Sequence, residues 1–329
     1  MAKSANQKLK LLYLMDKFLK DTDEEHGVTI SELSEYLERH DIKSERKSLY
    51  DDIEGLKRFG MDIVKEKADK KVYYKLVSRD FELAELKLLV DLVQSSKFMT
   101  SNKTEKLISK LESLTSRYQA VELQRQVHII NRIKNPNEKI YMYVDALHSA
   151  IHNDTQVEFQ YTYWNLKKEL VPRHDGKLYR VSPWALTWDD ENYYLVGYDE
   201  EADKIKHFRV DKMLSLENIS EPRNGRELFE DFDIASYAKK TFNMYDGKED
   251  TVKLKVHNSM VGVILDRFGT DVMLIPVKGE EYFTVNVGVN VSDLFVGWII
   301  GLGERVEVIA PQSLRDQIKQ IGKKLVERY

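Results

Sequence analysis

The chain has 329 residues, 42% of them hydrophobic, enough for two or three domains that each bury a core of their own. The 51 Lys and Arg stand against 55 Asp and Glu, a net charge of −4, and residues 1–78 are balanced at sixteen basic and sixteen acidic side chains, so global charge offers no argument for a nucleic-acid partner. There is no cysteine, which excludes disulfides, thiolate zinc sites and cysteine nucleophiles, and no apolar run approaches the roughly 18 residues that span a bilayer. The start MAKSANQKLK has no apolar stretch behind its lysines, which points to a soluble, cytoplasmic protein with no membrane partner.

Leu11, Leu12, Met15, Phe18 and Leu19 recur at helical spacing and predict a first amphipathic helix. Thr29 with Glu32 three residues on is a capping-box pattern that announces a second, with Leu33 and Leu37 on its apolar face. Ser44 is expected to cap a third helix over 44–58, in which Leu49, Ile53 and Leu56 share a face and Gly60 supplies the stop. The period then changes to two in MDIVKEKADKKVYYKL, which predicts a hairpin around the polar turn Ala68 to Lys71. Three helices and a hairpin within residues 1–78 is the order of a winged helix-turn-helix DNA-binding domain, whose third helix enters the major groove. Candidate DNA contacts are Ser44, Arg46, Lys47, Ser48, Tyr50 and Lys57 on the helix, with Lys70 and Lys71 on the hairpin. Asp51 and Glu54 interrupt that patch, and a solvated face on a protein-interaction module fits the same residues.

Residues 79–137 return to helical spacing, with Leu83, Leu86, Leu89, Val93, Leu107, Leu111 and Leu114, and read as a helical connector broken at Asn135-Pro136-Asn137. A helix over 141–151 then leads into VEFQYTY, YRVSPWALTW, NYYLVGY and IKHFRVDKM, short strands that predict a small, strongly bent antiparallel sheet or barrel over 138–222. Residues 223–249 are expected to form a crossover linker. Residues 250–329 read as strand (252–257), helix (259–268), strand (271–277), strand (282–291), helix (293–301), strand (305–309) and helix (312–327), the βαββαβ order of a ferredoxin-like sandwich. The fold class is therefore α+β multidomain.

If Phe208 and Val210 face inward, strand alternation puts His207, Arg209 and Asp211 together on the opposite face. Arg180 and Ser182 share a face of an earlier strand, and Tyr194 lies in the strand between. A guanidinium pair, an imidazole, hydroxyls and aromatic edges suit an anionic ligand with rings to stack. A simple Arg209–Asp211 surface pair with satisfied tyrosines explains the pattern equally well. His148 and His152 stand one helical turn apart but fix no third ligand, so no metal site is assigned. Gly301 and Gly303 lack the strand, G-x-G-x-x-G and helix order of a dinucleotide site. With no P-loop, nucleophile elbow or paired carboxylates, the expectation is a protein that is no enzyme, has no catalytic residues and uses no cofactor.

The stretch YRVSPWALTWDDENYYLVGYDEEADKIKHFRVDKM resembles the WYL-domain transcriptional regulators of bacteria. Tyr193-Tyr194-Leu195 stand where that family has Trp-Tyr-Leu, and Phe208-Arg209-Val210-Asp211-Lys212 is similar to its Phe-Arg-hydrophobic-Asp-Arg ending. SERKSLYDDIEGLKRFG resembles the family's recognition-helix stretch, and the last 36 residues, from LFVGWIIG onward, its C-terminal WCX extension, so the likeness covers nearly the whole length. The resemblance implies a winged helix-turn-helix, an Sm-like β-barrel as WYL domain, a ferredoxin-like WCX domain and a homodimer. It also implies a double-stranded DNA operator as partner, repression as the commoner mode, and a nucleotide or single-stranded nucleic acid as the effector sensed by the WYL domain. Carried over by position, Ser182, Tyr194, His207 and Arg209 would form the ligand pocket, Arg180 and Lys212 its basic support, and Asp211 an orienting group. Tyr193 departs from the motif tryptophan, and Asp51 stands where relatives commonly have a basic residue. The alternative is a nucleic-acid-binding accessory protein that modulates a partner enzyme.

Overall fold

A polar cap and leucine spacing place the first helices. In the computed structural model, which describes residues 6–125, 134–229 and 248–329, these are α1 (Lys10–Asp21), α2 (Ile30–Glu38) and α3 (Arg46–Phe59). The Thr29 hydroxyl accepts the Glu32 N–H while the Glu32 carboxylate accepts the Thr29 N–H, closing a capping box at the start of α2. Leu33, Leu37, Leu49, Ile53 and Leu56 bury together against Leu14 and Phe18. Gly60 ends α3 in the left-handed region at φ 116°.

Two details depart from the sequence reading. The inward stripe of α1 runs through Lys10, Leu14 and Phe18, leaving Leu11, Leu12 and Leu19 exposed. A lysine can occupy the stripe because its amine donates to the Ser48 hydroxyl at 2.6 Å and forms an ion pair with Asp52, fastening α1 to α3. Ser44 does not cap α3: Glu45 holds the cap position without a side-chain bond, and the Ser44 hydroxyl is buried beside it.

β1 (Ile63–Ala68) and β2 (Lys71–Leu76) form an antiparallel hairpin in which Ile63 faces Leu76 and Ala68 faces Lys71. Its two-residue turn, Asp69 and Lys70, has positive φ at both positions, the geometry that matches strand twist. Val28 bridges to Tyr74, pinning the approach to α2 onto the hairpin. Next come α4 (Leu83–Ser95), α5 (Ser101–Glu112) and α6 (Arg117–Arg125), around a small core of Leu86, Val90 and Leu123. Residues 126–133 of the expected connector lie outside the described residues.

The connector is tied to the loop after α1 through Asp23, which is 3% exposed. Its carboxylate accepts bonds from the Ser116 hydroxyl, the backbone N–H groups of Glu25 and His26, and the His26 ring at 2.8 Å. Burial pushes this carboxyl up, but the bonds from Ser116, His26 and Glu25 outweigh it and hold it below the ordinary 3.8.

The chain divides into two units, residues 1–138 and 139–329. The second opens with α7 (Ile140–His152), which buries Ile140, Tyr143, Leu147 and Ala150. The strands that follow are β3 (Thr155–Trp164), β4 (Leu170–Pro172), β5 (Leu178–Asp189), β6 (Asn192–Asp199), β7 (Lys204–Arg209) and β8 (Met213–Pro222). Their antiparallel order is β8-β3-β5-β6-β7, with β4 added on the last residues of β3. Bulges at Pro183/Ala185 and twice along β3 bend the sheet. Gly197 allows the close fold at the first of these, since a Cβ there would lie 2.9 Å from the Ser182 carbonyl oxygen. The expected Sm-like barrel does not close among the described residues: β7 ends at Arg209, a 3-10 turn over Val210–Lys212 redirects the chain, and β8 pairs with β3. The sheet stays open between β7 and β8.

Of the expected crossover linker 223–249, residues 230–247 lie outside the described residues. The remainder comprises β9 (Lys248–His257), α8 (Val261–Phe268), β10 (Ile275–Pro276), β11 (Tyr282–Val291), α9 (Asp293–Gly301), β12 (Val306–Ala310) and α10 (Gln312–Arg328), with sheet order β10-β11-β9-β12. Alternate residues Val252, Leu254, Val256, Val285, Val287 and Val289 meet Ile264, Phe295, Ile299 and Leu314 in one core. The strand expected over 271–277 is reduced to Ile275–Pro276, where proline limits the ladder.

Asp23 sets a testable pH dependence. Its folded carboxyl is more acidic than the unfolded one, so its contribution is present above about pH 3.8 and is lost as pH falls through the lower folded value. The melting temperature of Asp23→Asn is expected to fall below that of the parent at pH 7 and to approach it in acid. Equal melting temperatures at pH 7 would contradict the assignment.

Candidate anion-binding site

On α3, Arg46, Lys47, Ser48 and Tyr50 are exposed, and Asp51 and Glu54 are exposed with them. Lys57 is engaged by Glu54 at 2.9 Å, and Ser48 receives the Lys10 amine. Lys70 and Lys71 project at the hairpin turn. The positive charge of α3 outside the Lys57–Glu54 pair thus lies at both ends, Arg46 and Lys47 in its first turn, where the helix dipole also favours an anion, and the exposed Arg58 in its last. Ser44, buried beside the cap, is set back from that surface.

In the second unit the geometry centres on Arg209, the last residue of β7. Its Nε donates to Asp211 Oδ1 at 3.0 Å, and its Nη2 to Asp211 Oδ2 and Asn192 Oδ1, each at 2.8 Å. Its backbone N–H donates to the Tyr161 hydroxyl at 3.1 Å. Because the strand stops here, Asp211 does not continue an alternating face as the sequence suggests. It curls back through the turn and grips the guanidinium, which keeps 32% of its side-chain surface exposed.

Tyr194 stands opposite Arg209 across β6 and β7, and the next pair on that sheet face is Val196 with His207. Burial pushes the Tyr194 hydroxyl up to about 12, with Arg209 opposing the rise and Asp189 adding to it. Lys212 is half-buried in the turn, its carbonyl accepting the Thr162 hydroxyl at 2.9 Å. Burial lowers its amine, Arg209 lowers it further, and Asp211 only partly restores it. Arg173, which sequence reasoning missed, lies over the Tyr161 ring at 5.5 Å, and its N–H donates to the Tyr161 carbonyl at 2.7 Å. Its only signal in the chain is its place just beyond a three-residue strand; the pairing of Val171 with Tyr163 carries it to this corner.

Tyr194, His207, Arg209 and Lys212 are therefore brought to one end of the sheet. Arg180 and Ser182 are not. Thr187 is the β5 residue opposite Tyr194, so Ser182 and Arg180 lie five and seven residues back along β5, roughly 17 and 23 Å along the strand at its usual rise. Ser182 is fully buried, and its hydroxyl accepts the Asn224 N–H at 2.9 Å. Arg180 faces Glu158 at 3.4 Å and lines a cavity of about 330 Å³ with Asp199, Glu200 and Glu201, an acidic surrounding unlike that of Arg209.

A WYL-domain model matches residues 142–218 and a WCX-domain model residues 248–326. The chain carries a WYL domain and a WCX domain. Among curated proteins it is similar to Protein PafB of Mycobacterium bovis and of Mycobacterium tuberculosis, 24% identical over 139 residues that cover 42% of this chain and 41% of the relative. The matched stretch thus spans about two-fifths of those relatives. Solved structures that align with it are proteasome accessory factor B/C (PafBC) of Arthrobacter aurescens, at 18% identity over 97% of this chain and 48% of that one with TM-score 0.29, and a CRISPR Cas-related protein, at 14% identity over 67% and 60% with TM-score 0.38. The Arg209 corner falls within the WYL match, as do the buried Ser182 and the acidic-lined Arg180. Among the described residues no cluster of three His, Asp or Glu could hold a metal ion, and no helix is long and apolar enough to cross a membrane.

The burial of Ser182 makes it a structural group of the WYL domain. Ser182→Ala strands the Asn224 N–H and is expected to cost about 1–3 kcal/mol in urea unfolding. A change under about 0.5 kcal/mol would return the hydroxyl to the list of ligand contacts.

Proposed function

We propose that this chain is a DNA-binding transcriptional regulator, acting as a repressor and a homodimer in the cytoplasm, whose WYL domain senses a nucleotide or single-stranded nucleic acid. The observation that carries the reading is the presence in one chain of WYL and WCX matches and an N-terminal three-helix and hairpin unit whose third helix turns Arg46 and Lys47 outward. In this reading residues 1–78 act as a winged helix-turn-helix, residues 79–137 connect it to the sensor, and α3 enters the major groove. Arg46, Lys47 and Tyr50 make the first contacts, and Lys70 and Lys71 lie along the backbone. A two-fold dimer would read a pseudo-palindromic operator. Tyr194, His207 and Arg209 hold the effector, and its binding changes operator affinity by roughly 5- to 150-fold, the usual range of coupling between two sites.

The exposed Asp51 and Glu54 favour a second reading, in which α3 contacts protein and the WYL domain binds nucleic acid to modulate a partner enzyme. A mobility-shift titration on DNA upstream of the protein's own coding sequence separates the two. Duplex binding is expected with a steep salt dependence, and Lys47→Ala should weaken it across sequences and reduce the log–log salt slope by about 1. Single-strand binding without duplex binding would hand the case to the second reading.

A further inference from the structure

We propose that Arg173, Arg209 and Lys212 form a phosphomonoester subsite that takes a terminal phosphate, on a mononucleotide or a strand end, in preference to a backbone phosphodiester. This rests on the reading of the WYL domain as a nucleic-acid sensor and names the chemical group it senses.

Three cations from two stretches of chain meet around the end of β3. Tyr161 is the hub: Arg173 lies over its ring and Arg209 donates its backbone N–H to its hydroxyl, while Thr162 next to it holds the Lys212 carbonyl. One carboxylate, Asp211, answers the three, and its two oxygens are taken by Nε and Nη2 of Arg209. Asp189, on the Tyr194 side, is already faced by Arg267 of α8. The Lys212 amine has no hydrogen-bond or ion-pair partner among the described residues, although it is half-buried and beside two guanidiniums that depress its basicity. A half-buried ammonium in that position is costly unless an anion joins it.

Around Lys212 the three positive groups are answered by Asp211, a surplus of about two charges, while Asp189 and the exposed Asp190 act on the Tyr194 side. A phosphomonoester carries about −1.5 to −2 near neutral pH and three acceptor oxygens, whereas each backbone phosphate contributes a single charge. The Nη1 group of Arg209, outside its bonds to Asp211 and Asn192, the Arg173 guanidinium and the Lys212 amine supply one donor group for each oxygen.

The test is fluorescence anisotropy with (dT)8 carrying a 5′-phosphate, a 3′-phosphate or hydroxyls at both ends, with thymidine monophosphate and thymidine as competitors. Phosphorylated ends are expected to bind at least tenfold tighter than hydroxyl ends, and competition by the monophosphate but not the nucleoside would show that the terminal group suffices; if only the strand end is favoured, the source is the strand. Arg173→Ala, at an exposed position, should erase the preference while keeping affinity for the hydroxyl-ended strand, and Lys212→Met should erase the preference whatever it does to overall affinity. Equal binding of all ends, or a preference that survives both substitutions, overturns the subsite and leaves the sensor reading standing. No binding of any of these probes overturns both.

Discussion

The two-pronged bond from Arg209 to Asp211 fixes the corner at which β7 ends. It forms only because β7 stops at Arg209, and it holds the chain in the turn that ends the strand. Several features follow from that turn: β8 is sent to pair with β3 instead of closing on β7, Lys212 is left half-buried at the corner, and the guanidinium is oriented with part of its surface outward. A longer β7 would have placed Asp211 beside Arg209 on an extended face and spread the same charges along a strand. The corner concentrates them instead.

The first unit uses a comparable device for a different end. Lys10 sits in the apolar stripe of α1 and reaches Ser48 and Asp52, so α3 is fastened by its own inner polar residues. Breaking such a pair strands a partly buried charge, at a cost of about 3–5 kcal/mol, which makes it a strong positional constraint even where its net contribution is small. Asp23 repeats the logic one loop later, joining the approach to α2 with Ser116, the residue before α6. These two polar joints link α3 to α1, and the loop after α1 to the connector, within the first unit.

Much of the fold was legible because it depends on local rules. Thr29 and Glu32 announce α2, alternation in MDIVKEKADKKVYYKL marks the hairpin, and the strand at 282–291 and the helix at 293–301 are found at the boundaries their periodicity predicts. Features fixed by distant partners were not legible. Lys10 reads as a surface lysine until Asp52, forty-two positions on, is placed beside it; Ser182 reads as a pocket hydroxyl until Asn224 returns to it; and Arg173 has no visible role until β4 pairs with β3. Strand alternation correctly grouped His207 with Arg209 and failed at Asp211, because periodicity carries no information about where a strand ends.

In the proposed sensor, Asp211 orients Arg209 to receive an anion. Measuring the affinity of Asp211→Asn for a short single-stranded oligonucleotide tests it by sign. Removing a negative charge from a merely electrostatic patch would tighten binding. An orienting carboxylate predicts the opposite, a loss of about tenfold despite the more positive surface, of the size expected when a charge-assisted fork is undone. Binding equal to or tighter than the parent's would contradict the account.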